Sequence, residues 1–199
     1  LDYLRDEVTS STTYDEAARD NEAAFAQYQI QLGAVDTNFG LRYDDNEQFG
    51  DFTTASFLAG MNLTDDLRLI GSVSEGFKAP TFNDLYYPGY GDPSFKPEES
   101  TNYEIGLNAS LGDALVTVAV FKNQLQNLIQ YNSSTFQTDQ TAEAEITGIE
   151  FNVDTEVAGW ALSLSGSIID PENKADGKLL RRRAEQSMSF DMDYGFNDL

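Results

Sequence analysis

Apolar and polar residues alternate with a period of two in stretch after stretch of this chain. In 183–196, Ala184, Gln186, Met188, Phe190, Met192, Tyr194 and Phe196 share one side, against Arg183, Glu185, Ser187, Ser189, Asp191, Asp193 and Gly195 on the other. Trp160, Leu162, Leu164, Gly166 and Ile168 alternate with serines and Ala161, and Tyr103, Ile105, Leu107 and Ala109 oppose Asn102, Glu104, Gly106 and Asn108. Upstream, Ala24, Ala26, Tyr28, Ile30 and Leu32 oppose Phe25, Gln27, Gln29 and Gln31, while Thr37, Phe39, Leu41 and Tyr43 oppose Asn38, Gly40 and Arg42. Successive side chains of a strand point to opposite faces, so each run reads as a strand with one apolar and one wet face. Further runs at 1–9, 51–62, 66–76, 114–123 and 143–154 bring the count to about ten. An Ala-rich segment at 15–26 competes as a helix, but its alternation from Ala23 onward favours a strand.

The links predict how these strands are connected. Short turns fall near 33–35, 62–66, 110–113, 156–159 and 196–199; longer polar links fall near 9–20, 44–51, 77–99, 123–141 and 170–182. Every second link is long, which in an up-and-down meander puts short turns at one rim and long loops at the other, as in outer-membrane barrels. A soluble β-sandwich or β-solenoid alternates too, but its strands usually run to about five or six residues. The longer runs here suit tilted strands that cross a bilayer. The fold expected is therefore all-β, an antiparallel transmembrane β-barrel.

Composition narrows the function. Among 199 residues, 34 are acidic and 12 basic, a net charge of −22, and 40% are hydrophobic. Phosphate binding needs Lys and Arg on the contact face, so no nucleic-acid partner is expected. There is no Cys and no His, which removes disulfides, thiolate chemistry and the commonest acid–base and zinc ligand. No enzyme is expected. No run reaches the roughly 20 apolar residues of a membrane-spanning helix, and no signal peptide is evident. The chain opens at Leu1 and reads as a mature protein or an excerpt.

Three phrases, in order, carry a family resemblance. The segment EGFKAPTFNDLYYPGYGDPSFKPEESTNY (75–103) resembles TonB-dependent receptors, in which a strand ends in Phe-Lys/Arg-Ala-Pro and an Asn-Pro-x-Leu-x-Pro-Glu phrase leads into the next. Phe77, Lys78, Ala79 and Pro80 match the first phrase, and Lys96, Pro97 and Glu98 the second, with Asp92 and Phe95 replacing the usual Asn and Leu. FKNQLQNLIQYN (121–132) is similar to the family's Asp-Leu-Ile strand end, with Asn127 for Asp. AEITGIEFNVD (144–154) is similar to its Ala-x-x-x-Gly-x-Glu strand through Gly148 and Glu150. RYDDNEQFGDF (42–52), FKAPTFNDLY (77–86) and LLRRRAEQ (179–186) resemble the cobalamin-receptor subgroup. The resemblance implies a barrel of about 22 strands around a plug, of which residues 1–199 supply roughly ten, with the plug and final strands absent. It also implies a bacterial outer-membrane location, loops that capture cobalamin, and TonB acting through the plug. Ferric-siderophore receptors share the Phe-Lys-Ala-Pro phrase.

Candidate site residues lie in the long links. Pro80, Pro88, Gly89, Gly91, Pro93 and Pro97 keep 77–99 out of the sheet, and a structureless link of about twenty residues is usually functional. Its Phe82, Tyr86, Tyr87, Tyr90 and Phe95 offer flat surfaces to a large ligand; the plainer alternative is a loop that packs over the barrel mouth. Lys178, Arg181, Arg182 and Arg183 form the one basic cluster. The resemblance implies that Arg181 or Arg182 faces the corrinoid; otherwise they anchor lipopolysaccharide phosphates or pair with interior carboxylates. Asp44, Asp45, Glu47 and Asp51 are weak calcium candidates by their oxygen density, with an ordinary acidic hairpin the commoner case. No other cofactor is expected. Glu104, Glu150, Asp191 and Asp193 are expected to face a wet interior. Open sheet edges are costly in hydrocarbon, which leaves two rivals: a self-contained small outer-membrane barrel, needing first-to-last strand contact, and a soluble β-rich interaction module, needing a dry core.

Overall fold

The computed structural model describes residues 1–195 and is a single antiparallel meander. In chain order the strands are β1 (Asp2–Glu7), β2 (Ala18–Leu32), β3 (Val35–Asn46), β4 (Gly50–Asn62) and β5 (Leu67–Lys78), then β6 (Glu98–Leu111), β7 (Ala114–Asn132), β8 (Gln137–Val157) and β9 (Trp160–Asn173). A two-residue β10 (Lys178–Leu179) and β11 (Gln186–Tyr194) follow, and one short helix, α1 (Phe82–Tyr86), sits between β5 and β6. Neighbours in sequence are neighbours in the sheet up to β10, and β11 also pairs with β9. Every run read as a strand contains one, and the segment 15–26 is strand from Ala18 on. The turn near 196–199, and Phe196, lie outside the described residues.

The pairing register shows how the alternation is used. Ala59, Gly71, Ile105, Val120, Ile149 and Ile168 stand opposite one another along one row of a single face. The next row on that face reads Val73, Tyr103, Lys122, Thr147, Asp170, and the one beyond it Glu75, Thr101, Gln124, Glu145, Glu172. Apolar rows thus give way to polar ones within about two strand residues, close to 7 Å, marking one edge of an apolar band. Towards the opposite rim Trp160 packs on Tyr194 with ring centroids 4.8 Å apart, an aromatic pair of the kind found at a membrane interface. The other face carries Gln27, Asn38, Glu104, Glu150, Ser165 and Asp191, as the alternation predicts.

A soluble module would need its apolar face buried, and here that face is bare. Tyr28, Ile105, Ile168, Phe190 and Met192 are all exposed, while the few buried apolar residues lie towards the long-link rim. There Leu128, Ala144 and Leu180 cluster, with Leu125 and Ile146 packed against them. The apolar band is therefore not the dry core that a soluble module would need. Nor does the sheet close on itself, since β1 and β11 do not pair among the described residues, contrary to the small-barrel reading.

The short links are as tight as predicted. Ala158 and Gly159, both at positive φ (53° and 81°), join β8 to β9, a backbone that matches strand twist. Two links expected to be long are not. β3 reaches Asn46 and β4 starts at Gly50, so the link narrows to a three-residue turn, 47–49, followed by Gly50 at φ 78°. β7 and β8 run on to Asn132 and Gln137, making 123–141 a tall hairpin with a four-residue tip. Beyond the apolar band both faces are wet, so the alternation fades although the backbone ladder continues. The strand expected from Arg183 begins instead at Gln186. Its cause is Pro171 on β9: its carbonyl accepts from Leu180 N–H at 2.8 Å, but it has no N–H to return on that edge. The chain detours there and rejoins where Ile169 N–H reaches Glu185 O, also at 2.8 Å.

Candidate ligand-binding site

The site is built around α1, which the prolines and glycines of 79–97 concealed. Thr81 is its N-cap: its hydroxyl accepts from Asp84 N–H at 3.2 Å and the Asp84 carboxylate accepts from Thr81 N–H at 3.0 Å. This reciprocal capping box was legible in the Thr-x-x-Asp spacing. Phe82 and Leu85, three apart on the inner side, are buried. Pro88 and Gly89, at φ 73°, end the helix and turn the chain back, and Asp92 N–H bonds to Asp84 O at 2.8 Å.

From this turn a row of rings crosses the rim. Tyr14, in the link between β1 and β2, meets Tyr87 edge-on at 6.4 Å and donates from its hydroxyl to Asn83 Oδ1 at 2.5 Å. Tyr87 meets Tyr90 edge-on at 6.2 Å, and Tyr90 stacks on Tyr131, near the top of β7, at 6.0 Å and 22°. Arg182 closes the row with its guanidinium 4.5 Å from the Tyr131 ring centre. Four chain segments far apart in sequence thus contribute to one aromatic surface with a cation at its end.

The structure sorts the expected residues. Tyr87, Tyr90 and Arg182 belong to the row. Arg181 instead pairs with Asp139 at 3.4 Å. Tyr86 points its hydroxyl at Gln48, whose amide donates to it at 2.6 Å, and Phe95 is 8% exposed, so its ring braces the loop and offers no open face. Tyr14 and Tyr131 were missed, because nothing local in sequence tells that a link and a strand end will converge on α1. The four carboxylates read as calcium candidates do not come together. Asp44 is buried and held by Arg42 (2.8 and 2.9 Å) and Asn21 (2.9 Å) on the polar face. Asp45 and Asp51 oppose each other on the other face, and Glu47 accepts from Asp20 N–H. Strand alternation divides them, and no cluster of three metal-ligating side chains occurs among the described residues.

Two titrating groups border the row. The Ser94 side chain and backbone N–H hydrogen-bond to Asp92, holding its carboxyl below the ordinary range. Burial, with the nearby Glu16 charge, pushes the Tyr86 phenol up.

Residues 2–199 match the family described as "TonB dependent receptor-like, beta-barrel". The chain belongs to this family. Among curated relatives of this TonB-dependent receptor barrel are two vitamin B12 transporters named BtuB. The one from Photobacterium profundum is 32% identical over 202 residues, covering 98% of this chain and 33% of the relative. The one from Vibrio vulnificus is 30% identical over 185 residues, covering 91% and 30%. The chain thus spans about a third of their length. Solved receptor barrels share its fold. The ferric enterobactin receptor PfeA of Pseudomonas aeruginosa in complex with BCV-L6 superposes with a TM-score of 0.75 at 19% identity, over 95% of this chain and 33% of that one. The siderophore receptor PirA of Acinetobacter baumannii gives 0.72 at 19% identity, over 94% and 33%. In such a barrel the apolar band faces lipid and the polar face lines the interior.

Proposed function

We propose that residues 1–199 are one stretch of the barrel of an outer-membrane receptor that takes up cobalamin with TonB-transmitted energy, the plug and remaining strands being contributed by residues outside this stretch. The observation that carries the reading is similarity to vitamin B12 transporters across nearly the whole of this chain. The rim supports it. Tyr14, Tyr87, Tyr90 and Tyr131 form an extended aromatic surface, suited to the planar face and apolar edges of a large macrocycle. Arg182 adds a donor fork for peripheral amides or a phosphodiester. In this reading the long-link rim faces outward among lipopolysaccharide, the row concentrates a scarce ligand, and movement of the plug opens the path along the polar interior. Arg181, tied to Asp139, becomes a neighbour of the ligand and not its principal contact.

The test is equilibrium binding to the full-length gene product in detergent. Cyanocobalamin, with and without calcium, is measured beside a panel of ferric siderophores. Sub-micromolar cobalamin binding that weakens in Arg182→Ala and Tyr131→Ala supports both ligand and site. Binding of a siderophore in place of cobalamin keeps the family and overturns the ligand.

A further inference from the structure

We propose that Arg19 is the positioning residue that sets the pose of the aromatic row, by fastening both ends of α1 to the adjoining hairpins. This rests on the reading of the row as a ligand surface.

Arg19 stands on β2 and is 7% exposed. Its Nε and Nη2 both donate to Asp6 Oδ2 of β1 at 3.2 Å. Its Nη1 donates to the carbonyl of Pro80 at 2.7 Å, immediately ahead of α1, and to Gln48 Oε1 at 3.4 Å, in the turn between β3 and β4. Gln48 passes the connection on, since its amide donates to the hydroxyl of Tyr86 at the far end of the helix. The guanidinium also lies 5.0 Å from the ring centre of Phe82 and 5.8 Å from that of Phe49. One side chain therefore grips the start of α1 directly, its end through Gln48, and its buried side through Phe82.

Tyr14 adds one bond, to Asn83, but Arg19 is the side chain that connects to both ends of this helix. Five residues are far too few for a helix to persist on its own in water, and within it Phe82 and Leu85 are the buried side chains. Tyr87 and Tyr90 follow directly, so the pose of α1 decides whether they meet Tyr14 and Tyr131. The task requires arginine. Its planar fork bonds Asp6, Pro80 and Gln48 at once while its face lies on aromatic rings, whereas a lysine ammonium is a single point on a flexible stem. Because Arg19 is buried beneath the loop, it acts through the pose of the row and not by touching ligand.

A positioning role has a kinetic signature that a lost contact lacks. If only a fraction of molecules holds the competent pose, apparent affinity falls by that fraction, about tenfold when a tenth remain competent. The loss appears in the association rate, while the bound complex dissociates as before. The experiment uses the full-length receptor in detergent with Arg19→Met and Arg19→Lys, read by hydrogen–deuterium exchange of the peptide covering 80–95 and by cyanocobalamin association and dissociation rates. Faster exchange in 80–95 in both variants, unchanged exchange in β6 and β7, slower association and unaltered dissociation support the proposal. Wild-type exchange of 80–95 in Arg19→Met overturns it, as does full restoration by Arg19→Lys, which would make charge alone sufficient. A wild-type receptor that binds no cobalamin defeats the ligand reading instead, and the exchange measurement still decides Arg19.

Discussion

Arg182 combines a backbone at φ 55° with a guanidinium over Tyr131, two features with opposite consequences for a substitution. A left-handed backbone disfavours any side chain with a Cβ, so Arg182→Gly relieves strain while removing the cation. The cation–π contact with Tyr131 contributes about 0.5–2 kcal/mol to the rim and its loss offsets the relieved strain, so urea unfolding of Arg182→Gly is expected to change little, while loss of the charged donor to the ligand, about 1.5–3 kcal/mol, is expected to weaken binding by about tenfold to a hundredfold. Gly148 shows the reverse case. A Cβ there would lie 2.8 Å from the Phe121 ring and 2.9 Å from both the Ile168 carbonyl and the Ile169 side chain. The glycine of the Ala-x-x-x-Gly-x-Glu phrase is thus a packing requirement, and Gly148→Ala is expected to destabilise the barrel by about 1–3 kcal/mol, the range for overpacking, measured by urea titration in lipid or detergent. At the rim, the Asp92 carboxyl is held below its ordinary range, so its contribution to loop order is present at neutral pH and lost only as pH falls through that lowered value. The Tyr86 phenol, raised, stays neutral well into the alkaline range. With no histidine in the chain, ligand affinity is expected to be flat from about pH 5 to 9. A midpoint near neutrality in a binding profile would contradict this.

Among elements, α1 and the β10 detour are what distinguish this sheet from a plain meander. Both follow from chemistry at single positions: a Thr-x-x-Asp cap starts the helix, and Pro171, lacking an N–H on the outer edge of β9, makes the chain leave that edge and carry Arg182 back over Tyr131. Removing an N-cap costs about 1 kcal/mol. Thr81→Ala is therefore expected to speed amide exchange in α1 while leaving the strands as they were, a contrast that exchange mass spectrometry reads peptide by peptide. The lengths of β7 and β8 were under-read in sequence for a physical reason. Past the Tyr103–Lys122–Thr147–Asp170 row neither face meets lipid, so no apolar alternation is needed and the backbone ladder alone maintains the pairing.

For the whole molecule, the outer edge of β1 carries backbone groups that find no strand partner among the described residues. Each such group costs several kcal/mol in hydrocarbon, far more than the sheet can offset. Residues 1–199 expressed alone and mixed with lipid vesicles are therefore expected to give no heat-modifiable, protease-resistant band on gels, whereas the full-length protein gives one. A resistant band from this stretch alone would mean that it closes by a route not seen in the meander.

The sequence by itself determined the strands, their meander, the single apolar face and the family, because period-two alternation and short turns are local and lipid selects them residue by residue. It also marked Tyr87, Tyr90 and Arg182 through their place in proline-rich or basic links. Only the tertiary structure decided which of them meet, that Tyr14 and Tyr131 complete the row, that Arg19 sits beneath it, and that Asp44 faces the opposite side of the sheet from Asp45 and Asp51. Those outcomes depend on register and on loops folding back across several strands, and contacts between residues 42 to 69 positions apart leave no periodicity for a sequence to display.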